Sequence, residues 1–362
     1  MRTLILSCNT GAGHNSCALA LQQQLRANGE VCDITDALQF ISERASHFIS
    51  NWHTRIYLHA PRLFGAGYQD AERHEKLFRE DSLLYRYITS GVEELGEYIL
   101  SGGYDCVLCT HIFPALALTE LCRRYPDAPF TTAHISTDYT CSPGLSDSAL
   151  DWYFIPDASL ADEFAACGIP REKLVPAGIP VRQEFSSPRV WGETRRMLLM
   201  CGSMGCGPME ELAVCLSEGM TQGEELDVVC GSNEELRERL SRQTAQAQGV
   251  RIHGRVDNVP QLMQRADLFL TKPGGLSTSE AAAAGLPMVL IDAVAGCEEP
   301  NLAFFLRRGM AVTADTPAQL ASLALATLRD EAQLSRMRAA GENFPSRSAA
   351  KTIDKWMHHH AK

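Results

Sequence analysis

The chain has 362 residues, 45% of them hydrophobic and 21% charged, with a formal net charge of −11. That length suits two domains of roughly 150–200 residues each, and the acidic balance argues against nucleic-acid binding. No run approaches the roughly 18 apolar residues of a membrane span. Only Thr3 to Cys8 separates Met1-Arg2 from Asn9, too short for a secretory hydrophobic region, so a cytoplasmic protein is expected.

The first half alternates strand and helix patterns. Thr3–Cys8 reads as a strand, Asn9-Thr10-Gly11-Ala12-Gly13-His14 as a tight loop, Asn15–Ala27 as a helix and Val31–Asp36 as a second strand. Further strands are expected at Asp105–His111, Phe130–Asp138, Trp152–Pro156 and Leu174–Val181, with helices around Ala115–Arg124 and Ser159–Cys167. Such alternation predicts a parallel sheet covered by helices on both faces. From Ile179 to Glu193, with Pro180, Pro188 and Gly192, periodicity is lost, as in a linker.

The pattern then restarts. Met197–Cys201 is a strand followed by the glycine-rich Gly202-Ser203-Met204-Gly205-Cys206-Gly207, and Leu226–Cys230 is a strand ending at Gly231-Ser232-Asn233. Helix Glu234–Gln248, strand Val250–Gly254, helix Pro260–Arg265 and strand Asp267–Leu270 follow. Pro273-Gly274-Gly275 turns the chain into an alanine-rich helix ending at Gly285, and strand Pro287–Asp292 leads to a helix starting at Gly296 to Asn301. Helices at Gln319–Arg329, Glu331–Ala340 and Ser346–Met357 complete the chain. The expected domains are 1–186 and 187–345, with 346–362 as a C-terminal helix able to pack back on the N-terminal domain.

Residues 37–90 break the alternation. They have helical spacing and hold nine of the chain's 26 aromatics, together with seven Lys/Arg against six acids. Aromatics interleaved with arginines, such as Trp52, Arg55 and Tyr57, suit either an interfacial membrane contact or an apolar acceptor site; ordinary helical packing with a solvated face is the competing reading. The thirteen cysteines are scattered and odd in number. They read as core thiols, including Cys106-x-x-Cys109, which lies in a strand pattern without a second pair. The His358-His359-His360 run has metal-ligand chemistry but reads as a solvated tail.

Two stretches carry chemistry. In Thr271–Asn301 two strand–loop–helix turns lie close together, and free N–H groups at helix starts make phosphate sites. Glu280 can accept from ribose hydroxyls, and Glu298 and Asn301 can hydrogen-bond a second polyhydroxy group. Gly11-x-Gly13 after the first strand is neither a full dinucleotide fingerprint nor a P-loop. It places His14 at a strand-to-helix turn, where an imidazole can act as a general base or simply serve the structure.

The combination of GAGHNSCALAL near the start with TKPGGLSTSEAAAAGLPMV and GCEEPN near the end resembles the monogalactosyldiacylglycerol synthase and processive diacylglycerol glucosyltransferase family. It is similar, more distantly, to the N-acetylglucosaminyl transferase that makes lipid II. Cys109-Thr110-His111, Ser136-Thr137-Asp138-Tyr139, Gly178-Ile179-Pro180-Val181, Cys230-Gly231-Ser232-Asn233 and Gly254-Arg255-Val256-Asp257-Asn258 fall in the same order, so the resemblance covers about residues 3–310. It implies an α/β chain of the GT-B type, two Rossmann-like domains facing across a cleft. The acceptor would bind the first domain, near Gly11, Gly13, His111 and the Trp52–Tyr57 segment, and a UDP-sugar the second.

By the same resemblance His14 would be the catalytic base and Asp138 would orient a catalytic group or a substrate. Arg255 and Val256 would meet the uracil and Glu280 the ribose. Gly202, Ser203 and Gly205, with Gly274, Gly275 and Thr278, would hold the diphosphate, Gly231 would belong to the donor site, and Glu298 and Asn301 would face the sugar. Asp-x-Asp, the metal–diphosphate clamp of another glycosyltransferase architecture, occurs nowhere in the chain, so no metal or other cofactor is expected. Cys297 stands where many relatives have Gln, and Thr140-Cys141-Ser142-Pro143-Gly144 replaces a His-x-Trp pair of the family. The acidic balance lies in the first half, with 14 Lys+Arg against 23 Asp+Glu in 1–186 and 19 against 21 in 187–362, which weakens attraction to an anionic bilayer.

The expected activity is inverting, metal-independent transfer of a hexose from a UDP-sugar to a lipid hydroxyl, diacylglycerol first, at the inner face of the cell membrane as a weakly bound peripheral protein. The alternatives are N-acetylglucosamine transfer to a polyprenyl-linked or other apolar acceptor, a UDP-sugar 2-epimerase of the same fold, and a non-catalytic UDP-sugar sensor. Oligomeric state has no signal in the sequence.

Overall fold

The computed structural model describes residues 1–9, 12–41, 78–187, 194–291 and 298–361. The described chain forms two compact units, residues 1–182 with 348–361 and residues 183–291 with 298–347. In the first unit the elements run β1 (Arg2–Ser7), α1 (Ala12–Ala27), β2 (Val31–Asp36), α2 (Leu83–Ile88), α3 (Val92–Gly102) and β3 (Cys106–Cys109). They continue with α4 (Ile112–Arg124), β4 (Thr131–Ile135), β5 (Trp152–Ile155), α5 (Ala161–Ala166) and β6 (Leu174–Pro176). The strands form one parallel sheet in the order β2-β1-β3-β4-β5-β6. Leu4, Ile5, Leu6, Val107, Leu108, Phe154 and Ile155 are buried, as a sheet covered on both faces requires.

The second unit repeats the plan. Its elements are β7 (Arg195–Met200), α6 (Met209–Gly219), β8 (Glu224–Val229), α7 (Glu234–Gln243), β9 (Val250–His253), α8 (Val259–Arg265) and β10 (Leu268–Thr271). Then come α9 (Gly275–Ala283), β11 (Met288–Leu290), α10 (Glu298–Arg307), β12 (Ala311–Val312), α11 (Pro317–Arg329) and α12 (Glu331–Ala340). The sheet order is β12-β11-β10-β7-β8-β9, again parallel. Leu199, Val228 and Leu270 from its strands pack with Leu212 and Leu216 of α6 and Leu320 and Leu328 of α11. The last helix, α13 (Ala349–His360), belongs to the first unit and packs on α1; Trp356 meets Trp152 edge-on, with ring centroids 5.3 Å apart.

Several expected elements end early, each for a local reason. The strand expected over Phe130–Asp138 stops at Ile135, where the backbone turns through Ser136–Tyr139. The strand expected over Leu174–Val181 stops at Pro176; Ala177 N and Gly178 N both close on Ile155 O, at 3.1 and 3.2 Å, and the chain turns away at Gly178 with φ +90°. His111 closes no strand. It is the N-cap of α4, its Nδ1 accepting from Phe113 N at 3.1 Å. The helix expected to reach Gln248 stops at Gln243. Linker residues 188–193, Trp52, Arg55 and Tyr57, Gly11, and Cys297 lie outside the described residues.

One buried group makes the fold acid-sensitive. His134 on β4 is buried, with Nδ1 3.6 Å from Cys109 Sγ. Burial, and secondarily the neighbouring His14, pushes its imidazole down to about 3, whereas an unfolded chain protonates histidine near 6.5. Between those values the unfolded state binds more protons, so stability rises with pH through the window and is lost as pH falls below about 6.5. Urea unfolding is expected to show about 2 kcal/mol less stability at pH 5 than at pH 7.5 from this group alone. His134→Asn should flatten that slope; an unchanged slope would assign the acid sensitivity elsewhere.

Candidate active site

In an open α/β sheet, ligands bind beyond the carboxyl ends of the strands where the strand order reverses. In the first unit that point lies between β1 and β3. The chain leaving β1 enters α1 with Gly13 and His14 in its first turn, and the chain leaving β3 passes through Thr110 and His111 into α4. The two turns meet. His14 Nδ1 is 2.6 Å from the Thr110 carbonyl oxygen, and the His14 and His111 rings stand edge to face with centroids 4.7 Å apart. Thr137, in the turn after β4, brings its hydroxyl to 3.3 Å from the same Nδ1.

This geometry decides the tautomer. A carbonyl oxygen only accepts, so the Nδ1 of a neutral His14 must carry the hydrogen, and Nε2 is left as the proton acceptor. Burial holds the His14 imidazole below its ordinary value, outweighing the bond to Thr110, which acts in the opposite direction. The ring is therefore neutral at neutral pH, the state a general base needs. Asp138 follows Thr137 in the same turn, half-buried.

The approach to this turn is held by side chains. The Ser7 hydroxyl donates to Asn15 Oδ1 at 2.5 Å, Asn15 Nδ2 to Asn9 Oδ1 at 2.7 Å, and Asn9 Nδ2 to Asp36 Oδ2 at 2.8 Å. The chain links β1, α1 and β2 around the start of the helix that carries His14.

In the second unit the strand order reverses between β7 and β10. The loop after β7 holds Gly202, Gly205 and Gly207 at φ of +66°, +58° and +86°. It lies flat on the loop after β8: Ser232 N donates to Ser203 O at 2.9 Å. A Cβ on Gly205 would stand 2.3 Å from Cys230 O, and one on Gly231 would stand 2.1 Å from Ser203 O. No side chain fits at either position, so both glycines are required by a close backbone approach.

The loop after β10 leads into α9. Gly274 is the N-cap, and among the described residues no side chain caps the helix start and nothing lies within 4 Å of where a Gly274 Cβ would be. The Thr278 and Ser279 hydroxyls donate backwards, to Gly274 O at 2.8 Å and Gly275 O at 2.6 Å, so neither covers the leading N–H groups. An uncapped helix start facing open space suits an anion.

A residue that sequence reasoning passed over stands beside it. Lys272, only 6% exposed, has its ammonium 3.6 Å from Glu298 Oε2 on α10. Its charge also acts on two neighbouring thiols of the β7 loop: burial raises Cys201 and Cys206, and Lys272 opposes both shifts. A lysine at a strand end reads from sequence as solvated; only its burial against the β7 loop and Glu298 marks it out.

Asn301 is fully buried and donates through Nδ2 to Pro273 O at 2.9 Å, tying α10 to the β10 loop. Glu280 is half-buried on α9, and Arg255 is exposed and Val256 half-buried in the loop after β9. The structure thus gathers Gly202, Ser203, Gly205 and Gly231 on one side of the switch point, and Gly274, Gly275, Thr278, Glu298 and Asn301 on the other. Arg255 and Val256 follow the edge strand, two strands from β7.

Residues 14–181 match the family described as monogalactosyldiacylglycerol (MGDG) synthase, and residues 224–344 match glycosyl transferases group 1. The chain is 28% identical over 356 residues to a processive diacylglycerol beta-glucosyltransferase of Bacillus cereus (strain B4264), covering 94% of this chain and 88% of that one. Among solved structures it is similar to Acinetobacter baumannii MurG, with TM-score 0.68 and 15% identity over 99% of both chains. It is also similar to a Neisseria meningitidis UDP-GlcNAc 2-epimerase bound to UDP-GlcNAc, with TM-score 0.62 and 15% identity over 99% of this chain and 100% of that one.

Two parallel six-stranded sheets of this order, with these matches, make the chain a glycosyltransferase of the GT-B fold. Within that class it resembles, along most of its length, the monogalactosyldiacylglycerol synthases and processive diacylglycerol glucosyltransferases.

Proposed function

We propose that this glycosyltransferase moves a hexose from a UDP-sugar to a lipid hydroxyl, diacylglycerol first, with inversion and without a metal at the reacting centre. The observation that carries the reading is the fixed tautomer of His14, with Nδ1 on the Thr110 carbonyl and Nε2 left to take a proton. The relatives' names supply the lipid and the hexose.

In this reaction Nε2 of His14 removes the acceptor's hydroxyl proton as the oxygen attacks the anomeric carbon from the face opposite the leaving group. The bond between that carbon and the β-phosphate oxygen breaks, the configuration inverts, and UDP leaves with the bonding electrons. The uncapped start of α9 and the glycine-loop amides offer preorganised donors to the developing diphosphate charge, and Lys272 adds a full positive charge. Glu280 takes the ribose, Arg255 and Val256 the uracil edge, and Glu298 the sugar hydroxyls. Asn301 holds the β10 loop for them through Pro273 O.

Among the described residues no helix is long and apolar enough to cross a membrane. The relatives' names make the acceptor a lipid, and in this reading the chain meets it at the inner face of the cell membrane. The deciding experiment incubates the protein with labelled UDP-glucose, UDP-galactose or UDP-N-acetylglucosamine, with and without diacylglycerol vesicles and with no added metal. Vesicle-dependent release of UDP and a labelled lipid are the expected result. Interconversion of sugar nucleotides without vesicles would replace this reading with the epimerase one.

A further inference from the structure

Away from these loops, α13 and the turn after α1 bring together three groups that the transfer reaction does not use. Asp354 and His358 lie four residues apart on α13, and so on one face of the helix; Glu30 lies between α1 and β2. Glu30 Oε1 is 3.2 Å from His358 Nε2, and Asp354 Oδ1 is 3.1 Å from His358 Nδ1. One potential ligand atom from each residue lies within 4.8 Å of the other two.

The side chains of Glu30 and Asp354 are 7% and 5% exposed, that of His358 46%. Among the described residues, both Glu30 oxygens and Asp354 Oδ1 are buried and make no hydrogen bond beyond their ion-pair approach to His358. Two carboxylates in such a place cost several kcal/mol each unless a cation compensates them. The imidazolium supplies one positive charge for two negative ones, and the Met1 ammonium acts on Glu30 less strongly than His358 does.

The hydrogen bonds around the cluster orient it. Asp354 Oδ2 accepts from Asn28 Nδ2 at 2.5 Å and Gln24 Nε2 at 3.4 Å, both on or just after α1, which leaves Oδ1 turned to the cluster. His358 Nδ1 lies 3.0 Å from the Asp354 carbonyl oxygen. A neutral ring therefore carries its hydrogen on Nδ1 and points the Nε2 lone pair at the Glu30 carboxylate. A lone pair facing a carboxylate is repulsive until a cation stands between them. Outer partners on both the histidine and the carboxylate are the usual support of a metal ligand set.

We propose that Glu30, Asp354 and His358 form a binding site for a divalent transition metal of the zinc type, with water completing the coordination, that pins α13 to the α1–β2 turn. Imidazole with carboxylates is a donor set such ions take. A dication neutralises both carboxylates, which a proton on His358 does not. The half-exposed edge of His358 gives the ion a way in. The site is structural, and its failure would leave the transfer reading untouched.

The test titrates the full-length, chelator-treated protein with Co²⁺ and reads visible ligand-field absorption, with Zn²⁺ as the competitor. One equivalent is expected to bind, and one equivalent of Zn²⁺ to abolish the spectrum. His358→Ala and Glu30→Gln should each remove stoichiometric binding, and Asn28→Ala should weaken it roughly 10–100-fold. The double variant His359→Ala/His360→Ala should bind as the parent does, because neither ring belongs to the group of mutually close ligand atoms. If Glu30→Gln fails to fold, by tryptophan fluorescence, His358→Ala at its half-exposed position carries the test. Absence of stoichiometric binding, its survival in His358→Ala, or its loss only in the His359/His360 variant would overturn the proposal.

Discussion

Replacing His14 by alanine is expected to lower turnover by roughly 10²–10⁴-fold, the usual contribution of a positioned general base, while UDP binds the second unit as tightly as before. Steady-state rates with vesicle-borne acceptor, set beside a calorimetric titration with UDP, separate the two effects. The pH profile adds a second readout. Burial holds this imidazole below its ordinary value, so the acidic limb of kcat/KM should fall at a pH below that of an ordinary histidine, near 6.5. Thr137→Val should move that limb, since the Thr137 hydroxyl lies 3.3 Å from Nδ1, and should cost less in rate than loss of the ring. Unchanged turnover in His14→Ala would remove the base assignment altogether.

The second large effect is expected at Lys272. Lys272→Met should reduce kcat about 10²–10³-fold, the range seen when one electrostatic stabiliser of a transition state is removed, and should weaken product inhibition by UDP. A complication is built into the site, because the lysine also faces Glu298, itself buried, at 3.6 Å, and removing one partner of a buried pair destabilises the fold. The double variant Lys272→Met/Glu298→Gln, set beside Glu298→Gln alone as the turnover reference, separates the causes. It should recover much of the lost thermal stability without recovering turnover. If turnover returned with stability, the lysine would be a counter-ion for Glu298 and nothing more to the diphosphate.

The two α/β sheets were legible in the sequence because parallel strands covered on both faces are nearly continuous apolar runs, such as Leu4-Ile5-Leu6 or Leu268-Phe269-Leu270-Thr271. Their ends were less so. An apolar pattern does not mark where a ladder stops pairing, so Phe130–Asp138 contracted to Thr131–Ile135. Among the site residues, histidine in a glycine turn and the glycines themselves are visible as residue types. The Thr110 carbonyl that fixes the His14 tautomer is not, since every residue has one. Lys272 carries no sequence signal because its significance is burial, and Asn301 is legible as a polar residue able to meet a sugar, whereas its bond to Pro273 O, which ties α10 to the β10 loop, is not. The aromatic residues Trp52 and Tyr57 and the cation Arg55 lie outside the described residues.

The membership of α13 in the first unit has a consequence for how the chain is made. A ribosome delivers β1 to β6 first, yet the helix that covers α1 and carries Trp356 against Trp152 emerges more than 150 residues later. Domains fold during synthesis as their residues become available. Here residues 183–291 with 298–347 can close on their own core while the earlier half still waits, with one flank of α1 bare, for the twelve-residue helix α13.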